Sequence, residues 1–179
     1  RRKVSALELK PIEDVRVQEV FSEHLNELQI RTDRLFAWLL IIQWLFGILC
    51  ALTISPQSWD GLASSTHVHV WAASILGVLI ISLPLFLILK MPGYRTTRYV
   101  IASSQLVYSS LLIHLMGGRI EAHFHVFGSL AILAFYRDAK VFLPAVFVVI
   151  VDHLARGMIW PESVFGIMVA SPWRALEHA

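Results

Sequence analysis

The chain of 179 residues is 56% hydrophobic and only 16% charged, with a mean hydropathy of +0.65. A soluble domain of this size is usually about one quarter charged, so the composition excludes a disordered chain and a nucleic-acid-binding arm. The single cysteine, Cys50, excludes a disulfide scaffold, and the length favours one domain.

The first 34 residues are rich in charge and are predicted to hold a cytoplasmic helix from Ile12 to Arg34, with Pro11 at its start. They contain no apolar core with a cleavage site, which argues against a signal peptide. An amphipathic helix lying on the membrane surface is one interpretation. The other interpretation is a coiled-coil-like seam, which would make the protein a parallel homodimer. The residues of this seam are Val17, Phe21, His24, Leu28, Arg31 and Leu35.

Residues 35–179 are predicted to form a transmembrane bundle with five spans, near 35–54, 70–89, 99–116, 122–136 and 141–157. The first apolar run has about 20 residues, and at about 1.5 Å per residue it would cross a hydrocarbon core of about 30 Å. The last two runs are shorter, and a buried hairpin of a soluble core is the alternative for them. The expected fold class is therefore all-α, a polytopic membrane helix bundle preceded by a cytoplasmic helix.

Lysine and arginine are concentrated on one side of this predicted bundle. Twelve of the 15 lie there, leaving only Arg119, Arg156 and Arg174 on the other side. Such an excess marks the cytoplasmic side, which predicts a cytoplasmic N-terminus. Five spans would then place the chain from Met158 onward in the periplasm. An aromatic belt is expected on that outer side, and four tryptophans fall there: Trp59, Trp71, Trp160 and Trp173.

Histidine is the most informative residue type in the predicted spans. Of the eight histidines, only His24 lies in the cytoplasmic segment, and the predicted topology places the others towards the outer face. An ionisable group in the bilayer costs about 2.5–3.5 kcal/mol, so it should face the bundle interior and have a partner. Neutral imidazole is the commonest metal ligand. The predicted metal ligands are His69, His114, His123, His125, His153 and Glu121, with His67, Asp152 and Cys50 in a second tier.

His123 and His125 are two residues apart, so on an ideal helix they point about 200° away from each other. Both would reach one centre only if the Gly117-Gly118 turn leaves the start of the helix irregular. Otherwise they serve two sites, or one of them orients a ligand. Glu121 and His125, four residues apart, are expected to share a helix face.

Several roles for the predicted histidine layer remain open. A transition-metal centre of copper, zinc or iron comes first, because histidine with carboxylate suits these metals and not magnesium or calcium. Haem b held by two histidines from facing helices is the alternative cofactor, and Phe124, Phe127 and Phe135 would suit a porphyrin. A proton-sensing network and purely structural hydrogen bonds between helices are the remaining interpretations.

Two segments resemble the membrane-integral N-terminal sensor region of certain bacterial histidine kinases: LLIHLMGGRIEAHFHVFGSLAILAFYRDAKVF at 111–142 and HVHVW at 67–71. Related GRIE-x-HFH segments occur in some chemoreceptors and diguanylate cyclases. Three further segments resemble the same kinases: RTDRLFAWLL at 31–40, WPESVFG at 160–166 and SPWRALEHA at 171–179. The resemblance implies a signal-input module in a bacterial inner membrane, whose kinase modules, with a further span, follow the 179 residues. The sequence itself matches no phosphoacceptor segment or ATP lid.

The expected function is a membrane-embedded sensory input domain of a signal-transduction protein. A change at the outer histidines would shift the helices, and residues 12–34 would transmit this shift to a cytoplasmic output. The alternatives are a haem b redox or gas sensor and a membrane metal-dependent oxidoreductase. Oxidoreductases of the hydroxylase or desaturase kind carry HxxxH and HxxHH boxes on the cytoplasmic side, which this sequence lacks. The chain by itself is therefore not expected to be an enzyme.

Overall fold

The computed structural model describes residues 6–54, 57–60 and 63–168. These residues are almost entirely helical, in agreement with the expected all-α class. One short antiparallel hairpin, which the sequence did not predict, pairs Gln57 with Thr66 and Asp60 with Ala63. In chain order the elements are α1 (Ala6–Ile54), β1 (Gln57–Asp60), β2 (Ala63–Thr66), α2 (Val68–Trp71), α3 (Gly77–Lys90), α4 (Arg95–Leu115), α5 (Ile120–Leu133), α6 (Phe142–Ile159) and α7 (Glu162–Phe165).

Three helical segments in the described part of the chain are long and apolar enough to cross a membrane: Asp14–Ile54, Val68–Lys90 and Ala139–Ile159. They contain the predicted first, second and fifth spans. The predicted fourth span corresponds to a shorter apolar helix, Ile120–Tyr136. The predicted count of five spans is not confirmed.

The predicted third span is α4, which differs from the others because its polar residues face protein. At 21 residues, α4 is long enough to cross, but Thr97, Arg98, Gln105 and Ser109 are buried in it and lower its hydropathy. It contacts α1, α3, α5 and α6. Because α4 is surrounded by other helices, these polar side chains lie inside the bundle, and a count of apolar residues alone does not single α4 out as a span.

The helix α1 joins the N-terminal segment to the first predicted span without a break. It begins at Ala6, before the predicted start near Pro11, and ends at Ile54. Its N-terminal half exposes large apolar side chains, among them Val17 and Phe21, while Phe36 and Leu40 are fully buried farther along. One continuous helix therefore extends from the charged N-terminal segment into the bundle.

The second predicted span is interrupted by a π-helical turn, Ala72–Leu76, between α2 and α3. The indole N–H of Trp44 donates to the Ser74 carbonyl at 3.3 Å, so α1 uses a backbone group of this turn. The Trp44 ring also packs where a Cβ at Gly77 would lie, 2.5 Å from its Cδ1 atom. The wide turn is thus accommodated by an aromatic side chain of α1.

At the end of the bundle away from the histidines, Asp33 joins α1 to two loops. Its carboxylate accepts a hydrogen bond from the Gly93 N–H at 2.6 Å and another from the Tyr136 hydroxyl at 2.7 Å. The charge of Arg98 also acts on this carboxylate. Arg98 in turn pairs with Asp138 at 3.0 Å. This Asp33 contact fixes α1 to the α3–α4 and α5–α6 connections.

Candidate functional site

The predicted histidine layer is divided into three groups. The outer group contains His67, His69 and His114. The cleft pair consists of His123 on α5 and His153 on α6. The central network is built around His125. Because α5 is a regular helix from Ile120, His123 and His125 point to different neighbours.

The outer group lies where α2 begins and α4 ends. The His67 and His69 ring centroids are 4.4 Å apart, and those of His69 and His114 are 5.0 Å apart. His67 Nδ1 accepts the His69 backbone N–H at 3.1 Å and so caps α2. His69 Nδ1 is buried and has no hydrogen-bond partner among the described residues. The His114 ring packs edge-on against Trp160, with centroids 4.9 Å apart.

The cleft pair brings two imidazoles from neighbouring helices together, with ring centroids 5.7 Å apart. His123 Nδ1 lies 3.0 Å from the Arg119 carbonyl, and His153 Nδ1 lies 3.0 Å from the Val149 carbonyl. A carbonyl oxygen can only accept, so Nδ1 of each ring carries the proton. In each neutral ring the lone pair is therefore on Nε2.

The Asp152 carboxylate is bound mainly by Arg156 and lies farther from His153 of the cleft pair. The guanidinium donates to both carboxylate oxygens, at 2.7 and 2.6 Å, and also to the Ser110 carbonyl of α4 at 3.2 Å. The Asp152 carboxylate lies 3.6 Å from His153 Nδ1. This arrangement links α6 to α4 and compensates two charges within the outer half of the bundle.

A cleft of about 430 Å³ begins at His123 and His153 and continues between α5 and α6. Apart from these two histidines its lining is apolar. The lining residues on α5 are Ile120, Phe124, Val126, Phe127 and Leu130, and those on α6 are Val146, Val149 and Ile150.

The central network connects α1, α4 and α5 through hydrogen bonds whose directions can be assigned. Ser109 Oγ donates to the Gln105 carbonyl at 3.0 Å, so its one proton is used, and it accepts from His125 Nδ1 at 2.8 Å. The neutral His125 ring then presents its Nε2 lone pair, which accepts from the Gln43 side-chain N–H₂ at 2.9 Å. Gln105 on α4 also donates to Ser129 on α5 at 3.0 Å.

The central network also contains two buried acceptors. The side-chain oxygens of Gln43 and Gln105 have no hydrogen-bond partner among the described residues. Tyr108 lies beside them and donates its hydroxyl to the Gln43 backbone carbonyl at 2.6 Å. The network is therefore rich in acceptors and rests on neutral imidazole.

The other predicted site residues lie apart from these groups. Glu121 is exposed on the first turn of α5, while His125 faces Gln43 and Ser109. Cys50 is buried as a free thiol near the end of α1. His178 and Trp173 lie outside the described residues. Within the described ranges, no three histidine, cysteine, aspartate or glutamate side chains come together in a group that could hold a metal ion.

The residues that sequence reasoning missed are uncharged members of the central network, namely Gln105, Ser109 and Ser129. The signal for them was the presence of polar residues inside apolar runs, and Gln43 is the one clearly polar residue of residues 35–54. Such a residue must find a partner inside the bundle. The sequence gives no indication of which partner it finds, because Gln43 and His125 are 82 positions apart.

The chain is similar over part of its length to a transducer protein. It is 38% identical over 82 residues to "Transducer protein Htr8" of Halobacterium salinarum (strain ATCC 29341 / DSM 671 / R1). The match covers 44% of this chain and only 13% of the relative. No family model and no solved structure matches. The similarity and the apolar helices together fit a membrane sensory domain in signal transduction, at this coarse level.

Proposed function

We propose that the chain is the membrane-embedded sensory input module of a larger signalling protein. The observation that carries this proposal is the hydrogen bond between Gln43 of α1 and His125 of α5, at 2.9 Å. It connects a half-buried imidazole directly to the helix that continues into the charged N-terminal segment. The partial similarity to a transducer protein supports the same role.

In this proposal α1 carries the signal. Its position is set by Gln43 in the middle of the bundle and by Asp33 at the end away from the histidines. A ligand that changes the hydrogen bonding of the histidines would favour one arrangement of α1 over another. The free energy of this shift equals the difference in the ligand's binding free energy for the two arrangements. The output would be read from the exposed N-terminal half of α1.

The finer parts of the proposal concern orientation and assembly. The charge distribution supports a cytoplasmic N-terminus, and the resemblance to bacterial histidine kinases supports a bacterial inner membrane. Val17 and Phe21 are exposed on α1 and belong to the seam predicted from the sequence, which supports a parallel homodimer. Kinase modules in the full-length protein are proposed from the resemblance described in the sequence analysis.

We also propose a transition-metal ion, copper, zinc or iron, at the outer group. Ring centroids 5.0 Å apart allow one ion to contact both His69 and His114, and the buried His69 Nδ1 without a partner suits a ligand atom. His67 would join them only by giving up its cap on α2. Haem b is the alternative cofactor, supported by the cleft pair and the neighbouring Phe124 and Phe127. Elemental analysis and an absorption spectrum of the purified protein separate the two.

The proposed coupling through α1 is tested by spin-label distance measurements in the full chain. With Cys50 replaced by alanine, labels at Glu23→Cys and Lys140→Cys report the position of α1 against the bundle within one protomer, when labelled protein is diluted with unlabelled protein. We expect Gln43→Leu to shift or broaden the distance distribution, because α1 loses its bond to His125.

The matched control is Gln18→Leu, which changes an exposed glutamine on the same helix and should leave the distances unchanged. Equal distance distributions for wild type, Gln43→Leu and His125→Phe would contradict a sensory role for this connection.

A further inference from the structure

We propose that a cleft between α1 and the connection from α5 to α6 binds the phosphate group of an anionic phospholipid. This arginine cleft has a volume of about 340 Å³, and its lining includes Leu28, Arg31, Thr32 and Leu35 of α1 with Phe135 and Arg137 of the connection. It lies at the end of the bundle away from the histidines, so the inference goes beyond the proposed sensory function and does not depend on it.

Positive charge is concentrated in the arginine cleft, because Arg31 and Arg137 line it from two different elements. The nearest carboxylates in the chain do not neutralise this charge. Asp33 is occupied by two hydrogen-bond donors, and Asp138 pairs with Arg98 at 3.0 Å. The cleft therefore presents a net positive charge to a ligand.

Neither arginine of the cleft has a strong partner of its own. Arg31 lies 3.9 Å from Glu27, and both side chains are mostly exposed, at 78% and 67%, so this ion pair is weak. In the described part of the chain, no carboxylate lies within ion-pair distance of Arg137. The Thr32 hydroxyl donates to the Leu28 carbonyl at 2.9 Å, so the guanidinium groups are the side-chain donors that remain. A phosphate suits them, because a guanidinium can bind it through two N–H groups.

The backbone of Arg137 has a conformation that favours glycine. Its φ of 51° and ψ of 32° are left-handed, and within the described ranges it is the only residue besides glycine with a positive φ. In this conformation a Cβ lies too close to the following carbonyl oxygen, so glycine would form the turn more easily. The turn by itself gives no reason for an arginine here, whereas a bound phosphate does.

The position of the cleft along α1 matches the headgroup layer of a bilayer. The apolar run of α1 begins at Leu35, and Arg31 precedes it by about one helical turn, or about 6 Å. Headgroups add about 5–7 Å on each side of the hydrocarbon core. Leu35 and Phe135 are 41% and 54% exposed, so they can contact the first part of an acyl chain. A lipid thus meets charge at its phosphate and apolar surface at its chain.

A second copy of the chain is the competing occupant, since Leu28, Arg31 and Leu35 also belong to the predicted seam of a parallel homodimer. In a parallel pair in register, each Arg31 would face the same residue of the other copy, and like charges repel. In the structure these three residues line a cleft with the α5–α6 connection of their own chain. Val17 and Phe21 remain exposed and can still pair two copies. Charge therefore favours the anionic lipid as the occupant of the cleft.

The test is native mass spectrometry of the full chain in an uncharged detergent, which counts the lipids bound to each protomer. The probes are phosphatidylglycerol, phosphatidylcholine with the same acyl chains, and inorganic phosphate. We expect one phosphatidylglycerol per protomer to bind at least about tenfold more tightly than phosphatidylcholine, whose choline group brings a positive charge towards two arginines. Inorganic phosphate at the same concentration should not displace the lipid, because it lacks the acyl chains.

Variants assign the binding to the cleft. Arg31→Gln and Arg137→Gly should each weaken phosphatidylglycerol binding about fivefold and change phosphatidylcholine binding by less than about twofold. Arg34→Gln is the matched control, because Arg34 is an exposed arginine of the same part of α1 that does not line the cleft. It should change either affinity by less than about twofold.

The Arg137→Gly variant also separates binding from folding. Glycine adopts the left-handed backbone more easily, so the thermal unfolding temperature of this variant should equal or exceed that of the wild type. Weaker lipid binding by a chain that is at least as stable cannot be attributed to misfolding.

Four outcomes would overturn the inference. The first is equal affinity for the two lipids. The second is equal weakening by Arg31→Gln and Arg34→Gln, which would show that surface charge alone attracts the lipid. The third is displacement of phosphatidylglycerol by an equal concentration of inorganic phosphate, which would assign the cleft to a soluble phosphate compound. The fourth is a dimer that forms without lipid and binds none, which would assign the cleft to a second copy of the chain.

Discussion

At the scale of single residues, the state of His125 is set by one serine hydroxyl. Ser109 uses its proton on the carbonyl four residues before it, and this leaves only its lone pairs for His125. The ring must then place its proton on Nδ1 and its lone pair towards Gln43. A common intrahelical hydrogen bond of α4 thus determines which nitrogen is offered to α1.

Replacing Ser109 by alanine should therefore destabilise the protein. The His125 N–H would lose its 2.8 Å acceptor in a buried site, and a contact of 3.4 Å to Ser129 would be left, so we expect a loss of about 1–3 kcal/mol. The neighbouring Ser110→Ala is the control, because the Ser110 hydroxyl bonds only to its own helix at 3.2 Å and its loss should cost less than about 0.5 kcal/mol. Thermal unfolding in detergent measures both, and equal losses would refute the tautomer assignment.

The candidate site could be predicted from the sequence as a set of residue types but not as a set of contacts. That buried histidines need partners follows from the low polarity of the bilayer, and His123, His125 and His153 are indeed partnered. Which helix faces which is decided by long-range packing, so a common depth along the membrane did not imply a common centre. A shared height leaves the rotation of each helix undetermined.

At the scale of helices, α1 and α4 approach closely at a glycine. The Tyr108 hydroxyl of α4 occupies the place where a Cβ at Gly47 would lie, and it donates to the Gln43 carbonyl one turn earlier. Tyr108 is fully buried and has no room to swing away. Small residues commonly permit such contacts between helices in membranes.

Gly47→Ala should consequently destabilise the protein by about 1–3 kcal/mol, because the new methyl group displaces Tyr108 from its hydrogen bond. Gly128→Ala is the matched control in α5. Nothing lies within 4 Å of a Cβ there, and alanine's better helix propensity should leave stability equal or raise it by up to about 1 kcal/mol. Chemical unfolding of both variants in the same detergent measures the difference, and a neutral Gly47→Ala would show that this contact is not tight.

The helices illustrate where sequence periodicity succeeds and where it fails. The continuous α1 and the helix ends near Lys90 and Leu115 follow from runs of apolar residues bounded by charge or glycine. The π-helical turn at Ala72–Leu76 has no such signal, since it depends on Trp44 from another helix. The strands of the hairpin after α1 likewise consist mostly of polar residues and show no alternating apolar pattern.

At the scale of the whole molecule, the described helices place opposite chemistry at the two ends of the bundle. The Asp33 contact and the Arg98–Asp138 pair hold one end together by charge and strong hydrogen bonds. The other end contains the outer group and the cleft pair, whose rings meet edge-on at 4.4–5.7 Å. An input at the imidazole end would therefore reach the charged end through α1, which contacts both.

The number of spans determines on which side of the membrane α1 begins and on which side α7 lies. If five segments cross, including the polar but buried α4 and the shorter Ile120–Tyr136, then α1 begins inside and α7 lies outside.

In a Cys50→Ala background, we expect Glu162→Cys to react with a membrane-impermeant maleimide in intact spheroplasts. Glu23→Cys and Lys140→Cys should react only after lysis, because the arginine and lysine excess keeps their side in the cytoplasm. All three positions are exposed, so a failure to react reports the membrane barrier and not burial in the fold. Labelling of positions 23 and 162 from the same side would require an even number of crossings and would remove α4 or Ile120–Tyr136 from the set of spans.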